Sequence, residues 1–465
     1  MKTLKLLMLL VLTAVFTVSC ESDDDGMNTD NSNGSITISA NATTVSEDAG
    51  ELLFTVTTTD AVLVDTTYEI ALMGTALETE DYTVNSTNFT ISEGETTAVI
   101  TVNIIDDTTV EEAETIEISV ISENGESLTN PISETVTITD NDSFAFEAGI
   151  LISNEGPFGS GFGTVSYIDA NFTAVDNDIY QDVNNDNLGN IVQSIGFSET
   201  NAYVVANVGN KITVVNRFSF EEITKIETGL MNPRFMITAN NKGYVTNWGS
   251  GSDATDDYIA VIDLDTNTIT TTIPVSEGPE ELLFDGTNIY VAHQGGFGVN
   301  NEISVISPVT DAVTSTITVG KAPNSLQLDA SGNLWVLSSG QFSYQGDEEG
   351  GSISVINTSS NTVTTTYTFN QTEHPSYLNI DNNAVYYGLN GNVYKGATSS
   401  FTIPTDAELT GLNLYGMVVN DNTLYACDPN DFSSNGSVHI YDLTDNSLTT
   451  SFTVGVLPNN VYFNN

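Results

Sequence analysis

The chain has 465 residues, of which 62 are Asp or Glu and 9 are Lys or Arg, so its formal net charge at pH 7 is −53. So few basic residues cannot follow a phosphate backbone, which excludes electrostatic binding of nucleic acid and argues against attraction to anionic lipid. Two Cys and three His also argue against a disulfide scaffold and a multi-histidine zinc centre. Because 39% of the residues are hydrophobic, packed cores are expected, in about two or three domains.

The N-terminus is typical of an export signal. Lys2 and Lys5 precede an apolar run, residues 6–18, that is too short to cross a bilayer comfortably. The run ends in Thr17-Val18-Ser19-Cys20, which resembles a bacterial lipobox, in which the Cys becomes lipid-modified and is the first mature residue. We predict a lipoprotein signal peptide over residues 1–19 and lipidation of Cys20; the alternative is an ordinary cleaved signal with an incidental Cys.

An acidic cluster follows the predicted lipidation site at residues 21–25. It resembles the surface-export signal of Bacteroidota lipoproteins, which implies an anchor in the outer membrane that faces the extracellular side. The alternative is a merely solvated tether. Residues 26–34 are polar and turn-rich, so residues 20–34 are predicted to be the lipidated Cys and a flexible acidic tether.

Residues 35–143 are predicted to form an immunoglobulin-like sandwich. Apolar and polar residues alternate there in short runs separated by turn signals, as in half-buried strands. Seven runs of this kind fit such a sandwich. They begin near Ile36, Leu52, Thr67, Tyr82, Thr97, Thr115 and Thr135.

Acidic residues collect between predicted strands of this domain and at its end. Side by side, such carboxylates repel each other unless a cation lies among them. Four segments carry a resemblance to the Calx-β domain, and it extends over the whole domain. They are Val45-Ser46-Glu47-Asp48, Asp81-Tyr82, the run from Ile105 to Glu114, and Thr137-Ile138-Thr139-Asp140-Asn141-Asp142.

The resemblance implies a calcium site at one end of the sandwich. Carried over position by position, its ligands are Glu47, Asp81, Asp106, Asp107, Glu111, Glu114, Asp140 and Asp142. Asn141 departs from an all-acidic ending, which lowers the charge of the ligand set. Carboxylates suit calcium, whereas zinc prefers His or Cys. We expect structural calcium that stiffens the domain; a metal-free acidic rim on a spacer is the alternative.

The remaining chain, residues 147–465, repeats one unit when it is aligned at turn prolines. The clearest copy runs from Tyr258 to Ala292. Equivalent anchors are Pro233, Pro279, Pro323, Pro375 and Pro458, with copies lacking the proline near Ser194 and Gly416. Seven units of four short strands, about 45 residues each, are typical of a β-propeller. An eight-bladed ring is the alternative if the long spacing before Pro375 hides a degenerate copy.

The ends of this region predict how the ring closes. The last copy stops after one strand, Asn460-Val461-Tyr462-Phe463, and the segment after Glu147 opens with strands two and three. The first and last segments should therefore share a blade, which removes open edges. Gly243-Tyr244-Val245-Thr246-Asn247 and the recurring Ile-x-Val-Ile-Asp pattern resemble the YVTN-type propellers of bacterial surface-layer and YncE-like proteins, and this resemblance implies a fold rather than a ligand.

Each unit carries an irregular segment after its second strand, and five of these segments are long. They are Asn154 to Gly163, Trp248 to Asp257, His293 to Glu302, Ser338 to Gly351 and Asp428 to Gly436. Equivalent loops open on one face of a propeller, so their aromatic residues should form a binding rim. The predicted rim residues are Phe158, Phe162, Trp248, Phe297, Phe342, Tyr344 and Phe432. The alternative is that these rings fold back over the blades.

No catalytic motif is evident: neither a Gly-x-Ser-x-Gly elbow nor a phosphate-binding glycine loop nor a Cys/His pair occurs. The three His lack ligand or acid–base spacing, and His293, beside Gln294-Gly295-Gly296, is the one expected to contact a ligand. Cys427 should be a small buried residue. We therefore predict a non-enzymatic protein.

The sequence predicts a surface lipoprotein whose sandwich lifts a propeller off the outer membrane to bind a small molecule, a glycan or a surface protein. A narrower alternative comes from resemblance to lipoprotein propellers of gut Bacteroidota, which implies capture of cobalamin or another nutrient for a TonB-dependent transporter. A propeller lyase or hydrolase is the second alternative.

Overall fold

The computed structural model describes residues 35–159, 161–251 and 253–464, so the predictions for residues 1–34, among them lipidation of Cys20, lie outside the described residues. The chain divides into two compact units, with the division between Asp142 and Ser143. Within the described residues, no helix has the length and hydrophobicity needed to cross a lipid bilayer.

The described part of the first unit, from residue 35 onward, is built from nine strands and one short 3₁₀ turn, Glu47–Ala49. The strands are β1 (Ile36–Ala40), β2 (Thr44–Ser46), β3 (Glu51–Thr58), β4 (Thr66–Gly74), β5 (Tyr82–Val84), β6 (Asn88–Ile91), β7 (Thr97–Ile104), β8 (Glu114–Glu123) and β9 (Glu126–Thr139). All seven predicted runs are strands. The last of them begins earlier than predicted, because β9 continues the hairpin from β8 past Pro131.

Two sheets enclose one core in this unit. One has the order β1-β3-β7-β5 and the other β2-β9-β8-β4-β6. Strict alternation explains the core: Leu52, Phe54 and Val56 of β3 point inward and are fully buried, while the residues between them are more exposed. Their partners across the core include Ile116 and Ile118 of β8. The predicted sandwich is confirmed.

The second unit contains strands β10–β36 and one helix, α1 (Ile179–Asn184), with a 3₁₀ turn at Thr398–Ser400. Its first half comprises β10 (Gly149–Asn154), β11 (Thr164–Ile168), β12 (Val175–Asp176), β13 (Val192–Phe197), β14 (Asn201–Ala206), β15 (Lys211–Asn216), β16 (Glu222–Ile226), β17 (Pro233–Ala239), β18 (Lys242–Asn247), β19 (Tyr258–Asp263), β20 (Thr268–Pro274), β21 (Pro279–Phe284) and β22 (Ile289–His293). Its second half comprises β23 (Glu302–Ser307), β24 (Ala312–Thr318), β25 (Pro323–Leu328), β26 (Asn333–Ser338), β27 (Ser352–Asn357), β28 (Thr362–Thr368), β29 (Ser376–Asp381), β30 (Ala384–Leu389), β31 (Asn392–Ala397), β32 (Gly416–Asn420), β33 (Thr423–Asp428), β34 (Asn435–Asp442), β35 (Ser447–Val456) and β36 (Pro458–Asn464).

These strands form seven sheets, which are the blades of the predicted propeller. Blade 1 is β36-β10-β11-β12, blade 2 is β13–β16, blade 3 is β17–β20, blade 4 is β21–β24, blade 5 is β25–β28, blade 6 is β29–β31 and blade 7 is β32–β35. Blade 6 has three strands, and a single bridge between Val393 and Leu409 stands in place of its fourth. The long spacing before Pro375 is a loop between β26 and β27, so no eighth blade is hidden there.

Ring closure occurs as the sequence predicts. β36 pairs antiparallel with β10, from Gly149 opposite Asn464 to Asn154 opposite Pro458. The first strands of neighbouring blades contact each other around the ring, which places them nearest the axis. Seven separate apolar cores fill the spaces between successive blades, and the one between blades 7 and 1 joins Tyr425 and Val438 to Ile150 and Ile152.

The strands of each blade alternate in direction, so all connections from a second to a third strand leave the ring at the same face, which we call the loop face. Five of these connections are long: 155–163, 248–257, 294–301, 339–351 and 429–434. The other face, which carries the connections from third to fourth strands, is the far face.

Candidate functional site

The first unit gathers acidic side chains at one end of its sandwich. Single ligand atoms of Glu47, Asp140 and Asp142 all lie within 4.8 Å of one another. Asp81, Glu111, Glu112 and Glu114 line one small pocket together with Glu47 and Asp140. Of the eight predicted calcium ligands, six are thus in the cluster or its pocket; the sequence prediction left out Glu112.

The other two predicted ligands, Asp106 and Asp107, lie beside this cluster. The Asp107 backbone N–H faces the Glu47 carboxylate at 3.4 Å, and the Asn141 amide donates to Asp106 at 3.3 Å. The structure therefore brings the predicted ligands to one end of the sandwich. Backbone N–H groups also hold Asp140, whose two oxygens accept from Glu111 at 2.6 Å and from Asp142 at 2.7 Å.

Burial, and after it the crowding of like charges, raises the pKa values of several carboxyls in this cluster. Burial, followed by the neighbouring carboxylates, raises the pKa of Glu47 and of Asp142. Burial and a hydrogen bond with Asp81 raise the pKa of Glu114 to about 7. In contrast, N–H groups of Thr109 and its neighbours lower the pKa of Asp107. Bringing these carboxylates together is costly unless a cation or protons offset the charge.

The donor set fits calcium. It consists of carboxylates without His or Cys, as hard cations prefer. Within the described residues, one oxygen of Asp142 is buried without a hydrogen-bond partner, and a cation bound among these carboxylates would satisfy it.

The loop face of the second unit carries exposed aromatic rings at its loop tips. Phe158 and Phe297 are each 83% exposed and Tyr344 is 80% exposed, while Phe432 and Phe162 are exposed to 55% and 52%. Single exposed apolar residues are common, whereas several aromatic rings on one face mark a candidate binding surface. The predicted alternative, that the rings fold back, holds only for Trp248 and Phe342, which are half-buried.

Phe297 belongs to a stack that leads inward to a charged group. Its ring meets Trp248 edge-on, with 5.9 Å between centroids. Trp248 donates through Nε1 to the backbone oxygen of Pro279 at 3.0 Å and covers the Arg234 guanidinium, which lies 4.3 Å from its ring centroid. A desolvated cation–π contact of this kind contributes about 1–2 kcal/mol. Trp248 therefore has a fixed position.

Tyr344 and Phe432 are arranged in the same way. Tyr344 stacks on Phe342 at 5.4 Å, and Phe342 stacks on His374 at 4.0 Å. Phe432 meets Tyr415 edge-on at 5.8 Å, and the Tyr415 hydroxyl donates to Glu155 at 2.9 Å. Three exposed rings thus each rest on an inner ring that is tied to a polar group nearer the axis.

Polar residues form a network at the inner end of two of these stacks, those of Trp248 and Tyr415, and sequence reasoning missed most of it. Arg234 pairs with the buried Glu280, with Nη2 at 3.0 Å from Oε1, and donates to the Gln193 side chain at 2.6 Å. Asn459 donates to the Gln193 backbone oxygen at 3.0 Å and to Glu155 at 3.3 Å. We call these five residues the mouth network.

A signal for this network was present in the sequence. Arg234, Glu280 and Asn459 each directly follow an anchor proline at the start of the first strand of a blade. A register shift just after this position in several blades marks a β-bulge, which re-aims side chains. Burial raises the pKa of Glu155 and of Glu280, against the opposing effect of Arg234.

The prediction that His293 contacts a ligand at the loop rim is corrected. His293 ends strand β22 and is fully buried. Its Nδ1 lies 2.8 Å from the Ser276 backbone oxygen and its Nε2 lies 2.8 Å from the Ser304 hydroxyl. Both ring nitrogens therefore have hydrogen-bond partners, and the role of this side chain is structural. Cys427 is buried, as predicted.

These observations define an all-β protein in which a sandwich with an acidic end precedes a seven-bladed propeller. A family model described as a domain of unknown function (DUF5074) matches residues 148–428, and the chain therefore belongs to the DUF5074 family. The Calx-beta domain model matches residues 29–142, which confirms that resemblance. No curated protein is significantly similar in sequence. The finer likeness to YVTN-type propellers stays a prediction.

Several solved structures are similar at low identity. Hydrazine synthase from Kuenenia stuttgartiensis aligns with a TM-score of 0.46 and 18% identity, over 57% of this chain and 87% of that one. The computationally designed protein Ika8 aligns with a TM-score of 0.43 and 13% identity, over 70% of this chain and 93% of that one. BamB from Moraxella catarrhalis aligns with a TM-score of 0.43 and 13% identity, over 68% of this chain and 88% of that one. No functional conclusion rests on these likenesses.

Proposed function

We propose that this protein is a non-enzymatic binding protein that captures its ligand on the loop face of the propeller. One observation carries the proposal: three exposed rings, Phe297, Tyr344 and Phe432, each rest on an inner ring that is tied to a polar group nearer the axis. Rings held in this way lose little conformational entropy when a ligand stacks on them.

The chemistry of this face indicates the class of ligand. Exposed rings offer stacking surfaces, and the mouth network holds the inner rings of two stacks in place through its own polar groups. A small molecule or glycan with an apolar or ring face and polar edges fits this face. A surface protein that inserts such groups would use the same contacts.

The arrangement of charges favours binding over catalysis. Arg234 is engaged by Glu280 and Gln193, so its guanidinium is held in a structural pair. Glu155 accepts from Tyr415 and Asn459. These groups are suited to hold a ligand in position, and a lyase or hydrolase remains the alternative that a turnover assay decides.

We further propose that the acidic end of the sandwich holds structural calcium. Glu47, Asp140 and Asp142 would be its central ligands, with Asp81, Glu111 and Glu114 beside them. The ion would offset the repulsion of these carboxylates and stiffen the unit. The sandwich would then act as a spacer, and a lipid at Cys20 would anchor the chain in the outer membrane on its extracellular side.

Nutrient capture for a TonB-dependent transporter is the narrower form of this proposal. A corrinoid such as cobalamin has a broad ring face with amide edges, which matches stacked aromatic residues around a polar mouth. This narrower proposal is supported by the same three stacks and depends on the loop face being the binding site.

The test is titration of the full chain with cyanocobalamin and with a panel of bacterial and host glycans. A Phe297→Ala/Tyr344→Ala variant should weaken the binding found by about tenfold or more, since each aromatic contact contributes about 1 kcal/mol. The matched control is Val309→Ala, which removes a side chain that is 80% exposed on the far face. Equal losses in both variants, or sustained product formation from a bound glycan, would overturn the proposal.

Placement on the cell is tested separately. Added protease should remove the propeller from intact cells, and a Cys20→Ala variant should release the chain from the membrane fraction. Protection in intact cells with cleavage after lysis would contradict the extracellular placement.

A further inference from the structure

A second site lies deeper in the propeller, away from the loop face. A cavity of about 470 Å³ is lined by residues of β13, β17, β21 and β36, the innermost strands of blades 2, 3, 4 and 1. Because the first strands surround the axis, this cavity is part of the axial channel. Its volume is in the range of small-molecule sites, roughly 300–1,000 Å³.

The lining of this cavity combines rings with one carboxylate. Phe197, Phe235, Phe284 and Tyr462 supply aromatic surface from four different strands. Glu281 is the one acidic residue among the lining residues. Rings attract a cation through their faces, and a carboxylate adds a full opposite charge.

Among the residues that the structure describes, none forms an ion pair with Glu281. One of its oxygens accepts the Leu326 backbone N–H at 2.8 Å, and the charged neighbour that acts on it is Glu280, another acid. Arg234 is held by Glu280 and Gln193, and the Arg217 guanidinium lies over the lining ring Phe197, 4.9 Å from its centroid. Burial raises the pKa of the Glu281 carboxyl to about 8, so this group is largely protonated at neutral pH unless a bound cation favours its charged form.

From the cavity, its rings and its single carboxylate, we propose that the axial channel binds a small organic cation with an apolar body, of the quaternary ammonium type. The ammonium group lies against Glu281, and its alkyl groups contact the rings of Phe235, Phe284 and Tyr462. This site is separate from the loop face, because its lining residues follow those of the mouth network along the same four strands, toward the far face.

The test compares choline with its neutral carbon isostere, 3,3-dimethylbutan-1-ol, by calorimetric titration of the full chain. Choline should bind with one site per chain and at least about tenfold more tightly than the isostere. Glu281→Gln, which keeps shape and removes charge, should weaken choline binding about tenfold or more and leave the isostere unaffected.

Two further variants make the result decisive. Glu221→Gln removes an equal charge from an exposed side chain outside the cavity and should leave choline binding unchanged. Phe235→Leu keeps an apolar side chain and removes an aromatic ring, so it should weaken the binding of choline more than that of the isostere. This variant is the decisive test if circular dichroism shows that Glu281→Gln is unfolded. Equal affinity for choline and its isostere, or equal losses with Glu221→Gln, would overturn the proposal.

Discussion

At the scale of single residues, the buried His293 makes folding sensitive to pH. Burial lowers its pKa to about 4, against the opposing effects of Ser276 and Glu302. The unfolded chain, with a His pKa of about 6.5, takes up the proton first, so stability is full above that pH and is lost as pH falls toward 4. Between pH 6.5 and 5, the wild type should lose about 1.5 kcal/mol more than His293→Gln.

Urea unfolding of both proteins at the two pH values measures this difference. The acids of the chain are common to both proteins, so their titration cancels in the comparison. Identical pH dependence of the two free energies of unfolding would show that His293 is not the group responsible.

The acidic end of the sandwich allows a second residue-scale prediction. If free calcium is about 100 times its dissociation constant, the first unit should gain about 2.7 kcal/mol of stability. Calorimetry of the full chain with calcium or with chelator should show this gain as a shift of one transition. Asp140→Asn should abolish the shift, while Asp60→Asn, an exposed acid outside the cluster, should retain it. A shift that survives Asp140→Asn would place the ion elsewhere.

The two sites differed in how far the sequence could reveal them. The acids of the sandwich occur in short segments at strand ends. Local motifs in the sequence therefore predict most of the candidate ligands. The mouth network is spread over four blades and extends along the chain from Glu155 to Asn459, so its members meet only when the ring closes. In the sequence His293 stands next to a polar loop. In the structure it is the last residue of strand β22, paired with Glu302, and its ring is therefore buried in the blade.

At the scale of elements, tyrosines of second strands connect neighbouring blades. The Tyr244 hydroxyl of blade 3 donates to Asp311 in a turn of blade 4 at 2.7 Å, and Tyr203 and Tyr290 make equivalent bonds to Asn267 and Asn361. Each acceptor residue has a positive φ near 50°, which Asn and Asp tolerate well. From the sequence, the acceptor Asn and Asp residues are predicted only to form turns. Their contact with a tyrosine of the neighbouring blade depends on how successive blades are oriented around the ring.

Removal of one such bond should weaken the whole propeller. Tyr244→Phe leaves Asp311 with Lys242 alone at 2.6 Å and should cost about 1–2 kcal/mol in the free energy of unfolding. The matched control is Tyr344→Phe, which deletes a hydroxyl from a side chain that is 80% exposed. Denaturant unfolding measures both variants, and equal stabilities would mean that the inter-blade bond contributes nothing.

At the scale of the whole molecule, stability depends on the closure of the ring by β36. This strand provides the innermost position of blade 1 and contacts blades 2 and 7, although it comes last in the chain. The sequence could predict this closure because the repeat is out of phase with the chain ends. It could not predict the axial cavity, which depends on how far apart the innermost strands of blades 1 to 4 lie.

A chain truncated after Leu457 should lose the cooperative unfolding of its propeller. The truncation exposes the edge of β10 from Gly149 to Asn154 and removes Val461 from the core between blades 7 and 1. A synthetic peptide with the sequence of residues 458–464 should bind the truncated chain and restore protection of β10 amides in hydrogen exchange. A peptide with Val461→Asp should fail, because it places a charge in that core. An unchanged unfolding midpoint after truncation would show that the seven inter-blade cores hold the ring without the closing strand.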